Sequence, residues 1–295
     1  MANVFVGRPR LGTGEGLVAI KRPHPHLAES PEIRALLARE ARLGRMVRHP
    51  NVVATLEIEE HDGQLILIMP YVEGATLAEL SEANAAPIDL PVALVILADV
   101  SAGLAALHGA TGADGEPLAL VHGDVSPHNV LVGADGTSAV FDLGLANGGD
   151  STPLPSAGTR GTLAYAAPEC VHGEPPTDRS DVFSLGVVAW EAITGRRLFA
   201  GSSHAATLTA LVEQPAPALC DVAPVDDELS TIVAAALSKD PAARVTSTEL
   251  ADLLAQYARG SAHAADTNAV ARLVNRLWGA RLAARRAVLR AAPSR

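Results

Sequence analysis

The spacing of apolar residues changes along the chain, and the change divides it into a strand-rich beginning and a helical remainder. Val4 to Arg10 and Leu17 to Arg22 read as two β-runs around a glycine-rich turn, Leu11-Gly-Thr-Gly-Glu-Gly16. Ile33, Leu36, Leu37, Ala41, Leu43 and Met46 then recur at helical spacing and predict an amphipathic helix over Pro31 to Val47. Val52 to Glu57 and Gln64 to Met69 predict a second hairpin through His-Asp-Gly. Beyond it the pattern turns helical, over Leu77 to Asn84 and over the long apolar stretch Pro91 to His108. A small hairpin interrupts the helices, with Val130 to Val132 and Ser138 to Phe141 flanking a Gly-Ala-Asp-Gly turn. Asp181 to Gly186 opens a further apolar helix carrying Trp190. The last helix spans Asn268 to Arg290, with Asn268 as its expected N-cap and Val270, Leu273, Val274, Leu277 and Trp278 on one face.

Composition narrows the class. An apolar content of 48% against 19% charged residues over 295 positions describes a globular chain, long enough for one large or two medium domains with a real core. Cys170 and Cys220 show no metal-like pairing, which predicts a reduced, cytoplasmic setting and no disulfide framework. The opening MANVFVGRPR lacks the charged-then-apolar order of a leader. Asp99 and Ser101 interrupt the stretch Pro91 to His108, so it reads as a buried helix and no transmembrane segment is expected. A net charge of −10 speaks against general nucleic-acid binding. That charge is unevenly placed. No acidic residue follows Asp266, whereas Arg272, Arg276, Arg281, Arg285, Arg286, Arg290 and Arg295 do, leaving 16 basic against 33 acidic residues in the body.

The candidate chemistry lies in Val121 to Ala146, VHGDVSPHNVLVGADGTSAVFDLGLA. Asp124, Asn129 and Asp142 fall at the ends of the small hairpin, where they can converge on one point. Asn and Asp together suit Mg²⁺, a hard cation that takes oxygen ligands and keeps positions for water and phosphates. Asp124 would remain free to accept a proton from an attacking hydroxyl. Singly, each residue type is also an ordinary turn former. Lysine is scarce, with only Lys21 and Lys239 in the chain, so Lys21 inside a strand pattern stands out. A helix over Pro31 to Val47 can turn Glu40 toward it. The glycine-rich turn is a different matter. Gly16 lies five residues before Lys21, about 16 Å away at roughly 3.3 Å per strand residue, too far to cradle a phosphate that the lysine holds.

These motifs resemble the protein kinase superfamily, and within it the bacterial eukaryotic-like (Hanks-type) serine/threonine protein kinases. His122-Gly-Asp-Val-Ser-Pro-His-Asn129 and Asp142-Leu-Gly144 are similar to the catalytic and magnesium loops, and Val18-Ala-Ile-Lys21 to the strand whose lysine meets the α- and β-phosphates. Arg48-His-Pro-Asn-Val52, Gly161-Thr-Leu-Ala-Tyr-Ala-Ala-Pro-Glu169, Asp181 to Gly186 and Lys239-Asp-Pro-Ala-Ala-Arg244 follow in the family's order. The resemblance implies an α+β, two-lobed fold, with a kinase domain over 1–258 (first lobe 1–71, second 72–258) and a basic helical extension over 259–295. It also implies ATP and Mg²⁺ as cofactors and a Ser/Thr-bearing protein as substrate. Asp124, Lys21 and Glu40 become the catalytic residues and Asn129 and Asp142 the metal ligands. Val4, Ala19, Lys21, Met69, Pro70, Val72 and Leu131 become the nucleotide contacts: Val4, Ala19 and Leu131 sandwich the adenine, Met69 stands as gatekeeper, and the Pro70 carbonyl and Val72 N–H meet the base edge. Glu169 is expected to pair with Arg244 in the interior.

Three departures qualify the resemblance. Aligned on the lysine strand, Ala2 falls on the third glycine of the family's phosphate-covering loop, so the expectation is that in-frame coding sequence upstream supplies a strand and a glycine-rich segment. Gly123 stands where the family has arginine, which predicts activity without phosphorylation at Thr159. Ser126 replaces the lysine that steadies the transferring phosphoryl group, a loss worth on the order of 10²–10³ in rate. Two other functions fit parts of the pattern: a pseudokinase that acts as a nucleotide-binding scaffold, and a small-molecule phosphotransferase, which shares the His-Gly-Asp and later Asn and Asp but lacks the Glu169 and Arg244 motifs. For the basic helix two placements stay open, on the chain's own second lobe or on a partner or anionic membrane.

Overall fold

The computed structural model describes residues 2–8, 16–24, 30–61, 63–84, 86–143, 147–148, 162–260 and 265–291. The turn residues 9–15 and the polar loop carrying Ser151, Thr152, Ser156 and Thr159 lie outside them. Four strands open the chain: β1 (Ala2–Gly7), β2 (Val18–Pro23), β3 (Glu57–His61) and β4 (Gln64–Pro70). They form an antiparallel sheet in the order β1-β2-β4-β3. Helix α1 (Pro31–Gly44) lies against it, and Leu37 and Ala41 close over Leu67 of β4.

The strand expected at Val52 to Glu57 begins only at Glu57. The preceding apolar residues form a tether whose backbone is satisfied elsewhere. Val53 N–H donates to the Val140 carbonyl at 2.9 Å and Thr55 N–H to that of Gly44 at 3.1 Å, while Val52 makes an isolated bridge to Val140. His49 holds the turn, its Nδ1 accepting from Asn51 N–H at 3.3 Å.

The larger second part is helical around two small sheets. One runs β5 (Gly74–Thr76), β7 (Val130–Gly133), β8 (Ser138–Val140); the other pairs β6 (Leu120–Val121) with β9 (Asn147–Gly148). Helix α2 (Leu77–Ala83) starts from a capping box in which Thr76 and Glu79 exchange bonds. Helix α3 (Leu90–His108) is long and apolar enough to cross a membrane by length and composition. More than half of it is nevertheless covered by protein, with Leu94, Leu97, Val100, Leu104 and Leu107 in the core. After α4 (Pro168–Val171) comes α5 (Asp178–Thr194), capped by Thr177 and stopped at Gly195, whose φ of 66° suits a residue without a side chain. Nearly every residue of α5 is buried, so it is the axis of this part. Helix α6 (His204–Glu213) packs on α4, while α7 (Leu219–Val222), α8 (Asp227–Ala236) and α9 (Ser247–Gly260) pack on α5, α9 also on α3.

The last helix, α10 (Thr267–Ala291), docks on the chain itself. Val270, Leu273, Val274, Trp278 and Leu282 are buried, and the helix rests on α2, α3, β5 and β7. Asp266 fills the capping role expected of Asn268: its Oδ1 accepts from Ala269 N–H at 3.1 Å, and Asn268 Nδ2 donates to Oδ2 at 2.8 Å. An aspartate caps as well as an asparagine and also complements the positive helix end.

Glu169 and Arg244 meet as expected, with fork contacts of 2.5 and 2.7 Å and both side chains buried. The rest of the guanidinium is also satisfied, by the carbonyls of Ser238 at 2.6 Å, Arg179 at 3.0 Å and Lys239 at 3.2 Å. Removing one partner strands a buried charge. Arg244→Ala is therefore expected to cost about 3–5 kcal/mol in urea unfolding, and a paired Glu169→Leu, Arg244→Met replacement markedly less.

Candidate active site

The site is assembled from both parts of the molecule. Lys21, on β2, reaches across to two carboxylates. Its Nζ lies 2.9 Å from both Oε atoms of Glu40 and 2.5 Å from Asp142 Oδ1. Glu40 arrives from the third turn of α1, one turn before its end. Burial alone would draw the ammonium's pKa down, but Glu40 and Asp142 outweigh it and hold it above the ordinary lysine value. Asp142 follows β8 in the left-handed region, at φ 66°, a conformation that Asp tolerates better than most residues.

Asp124 and Asn129 sit below this cluster. Asn129 Nδ2 donates to the Asp124 carbonyl at 2.8 Å and to its Oδ2 at 2.9 Å. With its nitrogen committed inward, the Asn129 amide oxygen is left for other company. Phe141 N–H donates to the Asn129 carbonyl at 3.1 Å, and β7 pairs Val130 with Val140, so Asn129 and Asp142 leave adjacent strand ends. Asp124 Oδ1 is buried with no hydrogen-bond partner among the described residues. Burial pushes the Asp124 carboxyl up to about 7; the Asn129 bond opposes that, and Asp142 and Asp181 add to it.

The anchor of Asp124 comes from a distant part of the chain. Asp181, buried in α5, accepts from the backbone N–H groups of His122 at 2.7 Å and Gly123 at 2.8 Å. It also meets His108 Nε2 at 2.9 Å, and His108 Nδ1 contacts the Ser247 hydroxyl at 2.8 Å. A carboxylate only accepts, so Nε2 of His108 is the donor to Asp181. His122 is wholly buried and its pKa is lowered by that burial. It is neutral, donating from Nε2 to the Phe141 carbonyl at 3.0 Å and accepting at Nδ1 from Asp124 N–H at 3.3 Å. The available signal was a carboxylate inside an apolar helix, which needs several donors to be tolerated.

Val4, Ala19 and Met69 share the face that bears Lys21. In antiparallel pairing opposite residues point the same way, and Val4 stands opposite Lys21, Ala19 opposite Met69. Leu131 lies on β7, opposite Thr76 of β5. Pro70 ends β4, and Val72 follows in the linker Tyr71 to Glu73. Val4 is exposed, whereas Met69 is buried. The two departures from the family pattern take different forms. Gly123 adopts φ 75°, while Ser126 is fully buried with its Oγ unpartnered among the described residues, so its hydroxyl does not replace the missing ammonium at the surface of the cleft. Among the described residues no three His, Cys, Asp or Glu side chains form a metal cage. One half-buried carboxylate and one amide oxygen fit a cation that completes its shell with phosphate and water.

Residues 9–254 match the protein kinase domain family. The chain is 32% identical to the tyrosine-protein kinase MasK of Myxococcus xanthus, over 87% of this chain and 41% of MasK. It is 31% identical to the serine/threonine-protein kinase PrkC of Bacillus subtilis, over 84% and 37%. Against the serine/threonine-protein kinase PknB of Mycolicibacterium smegmatis it is 35% identical, over 76% and 36%. The chain thus spans about two fifths of the length of the relatives it matches.

Asp181→Ala leaves one buried and one part-buried backbone donor without an acceptor and is expected to destabilise the chain by roughly 2–5 kcal/mol in chemical unfolding. Asp124 titrates near 7 when folded against an ordinary value of 3.8, so its ionisation increasingly favours unfolding as pH rises between the two. Asp124→Asn removes that cost. Its stability advantage over the wild type should be absent below about pH 4 and grow toward about pH 8, as read from thermal unfolding across that range.

Proposed function

This chain belongs to the protein kinase family, and from that membership we propose that it transfers the γ-phosphoryl group of ATP, with Mg²⁺, to serine or threonine hydroxyls of a protein substrate. The observation that carries the proposal is the contact of one lysine with both Glu40 and Asp142 above a hydrogen-bonded Asp124 and Asn129. Lys21, held in register by Glu40, orients the α- and β-phosphates. Asp142 and Asn129 hold Mg²⁺, which neutralises charge on the phosphate oxygens. Asp124 positions the acceptor hydroxyl and takes its proton, and a carboxyl poised near neutrality suits that exchange. Val4, Ala19 and Leu131 supply apolar contact for the adenine, Met69 bounds the slot behind it, and the Pro70 carbonyl and Val72 N–H present one acceptor and one donor to its edge.

Ser/Thr acceptance is drawn from relatives such as PrkC and PknB, whose names state that specificity, and from the threonine of Gly161-Thr162. MasK, a tyrosine-protein kinase, makes the acceptor the point to test. With γ-labelled ATP and a generic protein substrate, label is expected on serine and threonine after hydrolysis. Asp124→Asn should lower transfer by at least about 10²-fold, consistent with loss of a general base. Label confined to tyrosine would overturn the acceptor assignment, and no transfer at all would overturn the activity.

A further inference from the structure

The helix α10 lies beyond the residues that match the kinase family, yet it touches two of the elements assigned to the adenine slot, β7 and the linker that holds Val72, and it reaches Arg8 just past a third, β1. At its start, the Thr267 carbonyl sits against Gly136 in the β7–β8 turn; a side-chain carbon on Gly136 would fall 1.9 Å from that oxygen. β7 is the strand that carries Leu131. Farther along, Arg286 forms a fork with Glu73, Nε to Oε1 at 2.5 Å and Nη2 to Oε2 at 2.8 Å. Glu73 belongs to the three-residue linker that contains Val72. Near the far end, the Leu289 carbonyl accepts from Arg8 Nη2 at 3.2 Å, just past β1, the strand that carries Val4.

Two backbone hydrogen bonds to a base tolerate little movement of the backbone that makes them. The linker's own backbone ties are few: Tyr71 N–H donates to the Leu17 carbonyl at 3.2 Å, and the Glu73 carbonyl accepts from Ala134 N–H at 2.7 Å. The Glu73 side chain adds the third, and its partner is held by a helix whose apolar face is buried over several turns. From Thr267 to Leu289 the helix extends about 33 Å at 1.5 Å per residue, enough to span the cleft's rear edge as one rigid strut.

We propose that α10 is part of the nucleotide site, and that Arg286 acts through Glu73 as a positioning residue that fixes the linker and the spacing of the slot walls. The proposal rests on the kinase reading. It makes the basic tail's charge local in purpose: Arg286 answers an acceptor of the linker, and Arg285 reaches the Gly74 carbonyl, at the start of β5, at 3.5 Å.

The test uses the full chain carrying Arg286→Glu, Glu73→Arg or both. Three quantities are compared: the Kd of a non-hydrolysable ATP analogue with Mg²⁺, hydrogen exchange at the Tyr71–Gly74 amides without nucleotide, and the Tm. Each single reversal should weaken nucleotide binding about three- to tenfold and raise KM for ATP more than it lowers kcat. Linker exchange should rise while Tm changes little, because the pair is partly exposed. The double reversal should recover affinity to within about twofold. Arg8→Ala, which cuts the far tether alone, should weaken binding in the same direction. Nucleotide affinity unchanged in both single variants, or unrecovered in the double, would overturn the strut and leave the kinase reading standing. A wild-type chain that neither binds the analogue nor transfers phosphate would overturn the kinase reading itself and the strut's nucleotide role with it, whatever the linker exchange shows.

Discussion

The active loop hangs from a single buried carboxylate. Asp181 stands inside the most thoroughly buried helix of the molecule, and the charge is tolerated because His122, Gly123 and His108 all point donors at it. Two of those donors are backbone groups of the residues just before Asp124. The helix axis therefore dictates where Asp124 stands, and the His122 ring, pinned between Phe141 and Asp124, transmits the same position to the start of the Asp142 segment. Few side chains could serve. The site needs an acceptor with two oxygens and a full charge, short enough to leave the helix intact.

Above that anchor, the charges of the cleft are unevenly balanced. Lys21 meets two carboxylates at once, and Asp124 adds a third acidic group nearby, with the cation of the family's loop lysine replaced by a buried serine. Among the described residues, the charged side chains gathered there are thus three acidic groups and one ammonium. Such a grouping opposes a bare polyphosphate and favours one accompanied by a divalent cation, which meets the carboxylates first. Under the proposed function, ion and nucleotide would thus be coupled by electrostatics before any step of chemistry.

Much of this was legible in the order of residues. The interval from Asp124 to Asn129, the Asp-Leu-Gly that follows the hairpin, and a rare lysine in a strand all carry chemistry at short range, and the Glu169–Arg244 pair follows from motif order. What stayed hidden depends on distant partners. Asp181 looked like the opening of an apolar helix, because its donors lie about 60–70 residues away in sequence, in the chain near His108 and Gly123. Val52 to Leu56 has strand composition, but its backbone is claimed by Gly44, Val140 and Ile68, so composition misplaced the strand's start. The serine at 126 reads as a polar neighbour of Asp124, and only packing shows that it faces inward.

The contact between Gly136 and Thr267 reaches beyond this one molecule. A turn residue with φ 91° and a carbonyl oxygen where its side chain would begin leaves no room for any other amino acid, so the body of the chain carries an imprint of the helix that docks on it. A homologous chain with a bulky residue at that turn cannot seat its tail in this way, whatever the tail's own sequence. Docking of this kind therefore requires glycine at a position some 130 residues upstream of where the helix begins.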